Sequence, residues 1–316
     1  MLVATALVLS SCATGSSADD RPKVVATTTI LGDVVAHIAG DEADVTVLMQ
    51  PGQDPHGFQA SASQAATMVD ADLIVVNGLD LEEGLEDVID NAASAGVTVL
   101  SLGEQLDPLP WEAAVSDEHE HEDADSATSD EHEHEHEHTV DPHWWLDPVR
   151  MAQAAELIGG ALGAADPANA DDWTQRAAAY SDTVLATHDE LVTILAAVPP
   201  ERRLLVTNHN ALRYFATRYG FEIVGTVIPS GTTLAAPSPA DLADLVATLN
   251  DLGLDAVFAE TTQPTALADA VAAELSRPVE VVQIYTGSLG PPDSDGADYL
   301  SMMRTDARRI AAALAD

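Results

Sequence analysis

Short β-rich runs alternate with helix-forming segments in two separate blocks of this chain, and that alternation leaves few folds open. In the first block the runs are Lys23 to Ile30, Val45 to Met49, Leu73 to Val76 and Val97 to Leu100. Between them lie helical spacing at Val34 to Ala39 closed by Gly40, a polar turn from Gln50 to Gly57, and helices predicted over 61–69 and 81–95. In the second block Leu204 to Thr207, Ile223 to Ile228, Ala256 to Ala259 and Val279 to Tyr285 read as strands, with helices predicted over 206–216, 239–253 and 264–276. Parallel neighbours need a crossover and the intervening helices supply it, so the pattern argues for parallel sheets covered on both faces. No residue-level repeat relates the blocks.

The stretch between them holds two helical segments. The second opens at Asp166-Pro167, an N-cap with proline at the first helical position, and runs through Trp173, Tyr180, Val184, Leu191 and Leu195 until Pro199-Pro200 stops it. At 1.5 Å per residue such a helix reaches on the order of 45 Å, the width of a small domain. The expected fold class is therefore α/β with two lobes, each a mainly parallel sheet with flanking helices, joined by a long rigid α-helix. The expected divisions are 1–21 as leader and tether, 22–148 as the N-terminal lobe, 149–200 as the helical region and 201–316 as the C-terminal lobe.

An insertion over 116–139 interrupts the first lobe. Asp117 to His138 holds eleven carboxylates and six histidines (His119, His121, His132, His134, His136 and His138) and no apolar period. Such a stretch has nothing to bury, so it is expected to be solvated and flexible and to collect metal loosely. The next residues have the opposite character. Asp141-Pro142-His143-Trp144-Trp145-Leu146-Asp147-Pro148 sets one imidazole beside two tryptophans and a leucine, between prolines that fix the backbone.

The formal charge of −41 would repel a phosphate backbone or an anionic bilayer surface, which excludes nucleic acid as a partner. Only eleven of the 53 acids lie in the His-rich tract, so the acidity is chain-wide and reads as a solubility adaptation. Cys12 is the only cysteine, which rules out an internal disulfide and thiolate ligation of a metal in the folded body. The apolar run Met1 to Cys12 is too short to span a bilayer and suits a signal segment. Its end, Leu9-Ser10-Ser11-Cys12, resembles a bacterial lipobox, which implies cleavage before Cys12 and lipidation of that residue. No Lys or Arg precedes the run, and a start further upstream would supply one. Ala13 to Asp20 reads as a tether.

Ligands of open α/β sheets bind beyond the carboxyl ends of the strands. Three histidines fall there: His56 in the turn after the second strand, His143 after the fourth strand and its insertion, and His209 after the first strand of the second block. Singly, each is better explained as a hydrogen-bonded surface or core histidine. Together, with two of them inside Asp-Pro-His, they point to a shared site. His37 and His188 lie within helical segments and read as structural. Outside the His-rich tract there is no HExxH pair, and no Gly-x-Ser-x-Gly elbow or second carboxylate stands next to the ligand motifs, so a zinc hydrolase is disfavoured and no enzyme is expected.

Four landmarks, Asp54-Pro55-His56, Asp141 to Pro148, Asn208-His209-Asn210-Ala211-Leu212-Arg213-Tyr214-Phe215 and Ile284-Tyr285-Thr286-Gly287-Ser288-Leu289-Gly290, carry a resemblance in both type and order. They resemble the metal-binding landmarks of the zinc/manganese substrate-binding proteins of bacterial ABC importers, from about residue 22 to the C-terminus. The resemblance implies two lobes and one metal ion in the cleft between them, held by His56 and His143 from the first lobe and His209 from the second. It also implies an extracytoplasmic lipoprotein, anchored to the membrane through Cys12, that captures Zn²⁺ and delivers it to the permease and ATPase of an importer. A monomer is expected. Manganese-type members resemble this pattern but carry Glu where this chain has His209, and three imidazoles suit zinc better than the harder manganese. Zinc-type members have a counterpart of the Glu/His tract in the same insertion. The alternatives are a manganese-specific protein of the same family and a surface zinc buffer or adhesin. One departure stands out: the fourth ligand is often an Asp in the last landmark, where this chain has Gly287. Glu260, ending its strand at the same rim, is read as a fourth ligand, as a carboxylate orienting an imidazole N–H, or as an ordinary strand-end acid. Water or an acid of the insertion are the other ways to complete four-coordination.

Overall fold

The computed structural model describes residues 21–111 and 140–315; the leader with Cys12 and the six-histidine tract lie outside the described residues. Two four-stranded sheets form. The first is β1 (Lys23–Ala26), β2 (Asp44–Val47), β3 (Leu73–Val76) and β4 (Thr98–Ser101), in the order β2-β1-β3-β4. The second is β5 (Leu204–Thr207), β6 (Glu222–Thr226), β7 (Ala256–Glu260) and β8 (Glu280–Ile284), in the order β6-β5-β7-β8. Every pairing within the sheets is parallel. The two lobes therefore share one strand order. Each has a switch point between its first and third strands, where loops diverge and leave room for a ligand.

Most helices start where the chain supplies a cap. Thr28 accepts the Leu31 N–H and starts α1 (Thr29–Ala39), so the run expected as one strand from Lys23 to Ile30 ends at Ala26. Capping boxes at Ser61/Gln64 and Ser238/Asp241 open α2 (Ala62–Val69) and α7 (Pro239–Leu252). The helix expected over 81–95 is split into a 3₁₀ turn at Glu83–Leu85 and α3 (Glu86–Ser94). Asp147 caps α4 (Pro148–Ala165), with proline at its first position. The long helix is α5 (Ala170–Leu195). Its 26 residues reach about 39 Å, less than expected, because Pro167–Asn169 forms a 3₁₀ turn instead of the first helical turn. Asp166 anchors that turn by accepting from Asn169 Nδ2 at 2.7 Å and Trp173 Nε1 at 3.2 Å.

In the second lobe the helix expected over 206–216 begins only at Arg213, as α6 (Arg213–Tyr219). Val206 and Thr207 complete β5, and 208–212 form a loop fixed by one local bond, the Thr207 hydroxyl donating to His209 O at 2.6 Å, and by one long-range bond, Asn210 N–H donating to Ser230 O at 3.4 Å. The lobe is completed by α8 (Ala266–Glu274) and by α9 (Tyr299–Leu314), which the strand–helix alternation did not anticipate.

The period-two alternation of the strands sends neighbouring side chains to different cores. Val25, Ile74 and Val76 join Met49, Met68 and Leu85 in a core private to the first lobe, while Val206 and Val257 join Val227, Leu249 and Val271 in one private to the second. Val24, Ala26, Leu73 and Val75 face the other way, into a core continuous through Trp144, Ile158, Trp173, Val184, Leu205, Phe258 and Tyr299 to α9. The lobes are thus bound by shared packing as well as by a connecting helix. α5 spans them, with the Arg176 guanidinium of α5 donating to Ala39 O at 3.1 Å at one end and Arg304 of α9 donating to Thr187 Oγ1 of α5 at 3.0 Å toward the other. α4 lies so close to α5 that a Cβ on Gly159 would sit 2.3 Å from the Ala177 Cβ. Buried Asp147 adds a forked ion pair with Arg218 of α6, at 2.8 and 2.7 Å. Among the described residues, no helix is long and apolar enough to cross a membrane.

Candidate metal centre

Both Asp-Pro-His turns are built the same way. The Asp side chain accepts the backbone N–H of the histidine two residues on, at 3.1 Å for Asp54–His56 and 3.0 Å for Asp141–His143, with φ of the intervening residue fixed by proline. The first turn follows β2. The second follows β4 and the insertion, and leads into a 3₁₀ turn at Trp144–Leu146 that buries both tryptophans. His209 stands in the loop after β5.

The three imidazoles converge in the cleft. His143 Nε2 lies 3.2 Å from His56 Nε2 and 3.1 Å from His209 Nε2, and each residue is 1–2% exposed. Three nitrogens bound tetrahedrally to one ion at 2.0–2.1 Å would stand about 3.3 Å apart, so the spacing already matches a coordination edge. Among the described residues, this trio is the one group of three or more His, Cys, Asp or Glu side chains gathered closely enough to hold a metal ion.

Nε2 can face an ion only if Nδ1 keeps the proton, and a carboxylate stands at each Nδ1. Asp141 Oδ1 is 2.8 Å from His143 Nδ1, Glu260 Oε1 makes a short contact with His209 Nδ1, and Glu83 Oε1 lies 3.9 Å from His56 Nδ1. Glu260 also accepts the His209 backbone N–H at 3.2 Å and, on its other oxygen, the Thr286 hydroxyl at 2.6 Å. Trp145 closes the wall: its ring centre is 5.3 Å from that of His143 and its Nε1 donates to Thr286 O at 2.8 Å.

A family comparison decides what such a pocket belongs to. The family described as zinc-uptake complex component A, periplasmic (ZnuA), matches residues 24–313. The chain belongs to that family. Its members are metal-binding substrate-binding proteins of ABC transporters, not enzymes, and this chain is one of them. It is 29% identical over 309 residues to the manganese-binding lipoprotein MntA of Halalkalibacterium halodurans, covering 96% of this chain and 93% of that one. The zinc-binding protein TroA of Treponema pallidum is 28% identical over 304 residues, covering 95% and 91% of the two chains. The solved structure of TroA superposes with a TM-score of 0.81 at 26% identity, over 94% of this chain and all of that one. A manganese-bound periplasmic metal-binding protein from Candidatus Liberibacter asiaticus superposes with a TM-score of 0.76 at 26% identity, over 93% of this chain and all of that one.

Within this substrate-binding protein the charges are set for a cation. Burial lowers the His56 pKa, against the pull of Glu83, and keeps its lone pair free. Burial acts on His209 in the same sense, but the Glu260 charge and hydrogen bond, with the charges of Asp54 and Asp141, together outweigh it and raise the imidazole above its ordinary value. The Asp141 carboxyl is pushed up to about 7 by burial, opposed by the His143 N–H and the Arg213 guanidinium. Gly287 packs on the other side of the first turn: a Cβ there would lie 3.0 Å from Pro55 Cδ, and its φ is not in the left-handed region.

His37 and His188 stand apart from the centre. His37 Nδ1 bonds Asp33 O at 2.9 Å, and Asp33 raises its pKa to about 9; His188 Nδ1 meets the Tyr219 hydroxyl at 3.1 Å. His119, His121, His132, His134, His136, His138 and Cys12 lie outside the described residues. The carboxylates at the ring nitrogens of His143 and His56 escaped the sequence reading. Asp141 carried a signal, since its offset from His143 repeats that of Asp54 from His56. Glu83 carried none, because only the fold brings its loop to His56.

Proposed function

We propose that this protein captures one Zn²⁺ as its cargo through Nε2 of His56, His143 and His209 and hands it to the permease and ATPase of an ABC importer, working outside the cytoplasm as a monomer lipidated at Cys12. The observation that carries the metal choice is a trio of buried imidazoles with no carboxylate grouped with them among the described residues. Neutral nitrogen donors favour zinc, whereas manganese prefers carboxylate and water oxygens. Both Glu260 oxygens already serve His209 and Thr286, which supports a positioning role for that carboxylate, with water as the fourth zinc ligand in this reading.

The name of the relative MntA favours manganese as the second reading. Competition between Zn²⁺ and Mn²⁺ for the purified full chain, read by calorimetry and by metal content after dialysis, separates the two. The zinc reading expects Zn²⁺ to displace Mn²⁺ at equal concentration, and manganese retained under those conditions would overturn it.

A further inference from the structure

The two Asp-Pro-His turns share their backbone hydrogen bond and differ in what the carboxylate does next. Asp141 gives the same oxygen to the ring of its own histidine, at 2.8 Å. Asp54 turns Oδ2 across the cleft, where it accepts from the Thr233 hydroxyl in a short contact and from the Gln263 side-chain amide at 2.5 Å. Thr233 lies in the loop after β6. Gln263 lies in the loop after β7, three residues beyond Glu260, and its own backbone N–H reaches Glu260 O at 3.3 Å. One carboxylate therefore ties the His56 turn of the first lobe to two loops of the second lobe near the centre.

Resting on the reading of His56, His143 and His209 as the metal site, we propose that Asp54 is a positioning residue that clamps the cleft closed over the ion and sets the rate at which it leaves. For His56 to withdraw from His209, the second-lobe loops must release Oδ2, and hydrogen bonds to a charged acceptor are stronger than neutral ones. The same second-lobe loop covers the first lobe at two further points: Leu234 would touch a Cβ on Gly57 at 3.3 Å, and Gly231 lies against the Trp111 ring. The turn keeps an independent hold on the second lobe, because Gly52 N–H donates to Ser288 Oγ at 2.9 Å. Removing the Asp54 arm should therefore loosen closure without unfolding the protein.

The test is stopped-flow release of zinc from the full chain to an excess chelator, beside the association rate and the melting temperature of the metal-free protein. The double variant Thr233→Val/Gln263→Met leaves Asp54 and its bond to His56 in place and removes only the partners across the cleft. It should raise the release rate by at least about tenfold, the effect of losing even one hydrogen bond to a charged group, with association changed by less than about twofold and the metal-free melting temperature unchanged. Asp54→Ala combined with the double variant should release no faster than Asp54→Ala alone, because the interaction can be lost only once. An unchanged release rate in the double variant, a melting temperature that falls with it, or effects that multiply in the triple variant would overturn the clamp. Absence of tight zinc binding in the wild-type chain would instead overturn the metal-site reading on which the clamp rests.

Discussion

Glu260→Gln isolates the charge behind His209 while keeping its shape. In the wild type that buried carboxylate accepts from His209 Nδ1 and from the Thr286 hydroxyl, which fixes the tautomer that leaves the Nε2 lone pair facing His143. Loss of such a partner costs about 10–100-fold in metal affinity, or about 1.4–2.8 kcal/mol. The glutamine carbonyl can still accept from Nδ1, so the lower end is expected, about tenfold at pH 8. The pH dependence then reports the mechanism. Glu260 raises the His209 pKa, so below that raised value zinc must expel a proton and affinity falls by up to about tenfold per pH unit. In the variant burial acts unopposed by Glu260 and the His209 pKa drops, so proton competition starts at lower pH and the tenfold gap narrows as pH falls toward 6. Chelator competition between pH 6 and 8, with proton release measured by calorimetry in two buffers, reads both effects. Equal affinities with unchanged proton release would refute this role, and a loss beyond about 1,000-fold, more than a positioning partner accounts for, would make Glu260 a direct ligand.

Deleting 117–138 should leave one tight zinc per chain and remove only weaker ions, because ordering a stretch with nothing to bury costs entropy that the packed cleft avoids; calorimetry showing no tight site would contradict this. In the undeleted chain, lowering the pH to 5 should strip zinc from the tract before the cleft, since neighbouring carboxylates favour imidazolium and burial disfavours it; equal retention would count against it. Gly287→Asp should slow zinc release about tenfold by bringing an anionic oxygen to the rim: the backbone needs no left-handed φ, and only Pro55, 3.0 Å from the new Cβ, must give way. An unchanged dissociation rate would exclude residue 287 from the coordination sphere. Gly159→Leu should cost about 1–3 kcal/mol in chemical denaturation, because the new Cβ would overlap Ala177 of α5; wild-type stability would mean that α4 and α5 do not pack this closely in solution.

The two-lobe architecture was legible because strand composition is a local signal: the β-rich runs at Lys23, Leu73, Leu204 and Ala256 all become strands, whereas Asp166, the one N-cap read from sequence, anchors a 3₁₀ turn ahead of α5. The positions of His56, His143 and His209 at strand ends were legible for the same reason, since β-rich runs precede each of them. What failed was governed from a distance. The loop 208–212 looks helical in isolation, and its bonds to Ser230 and Glu260 hold it open. The shared core could not be read either, because which face of β3 meets α4 and which face of β8 meets α9 is fixed only when both lobes pack on the same helices. Nor could the Thr286 hydroxyl on the second Glu260 oxygen be read, because that residue comes from the loop after the next strand.

Anomalous diffraction at the zinc edge, on crystals of the zinc-loaded chain, tests the central claim most directly. The account predicts one strong peak per molecule about 2.0–2.1 Å from Nε2 of His56, His143 and His209. A cleft without a peak, with zinc bound elsewhere on the chain or by fewer than three of these imidazoles, would contradict it.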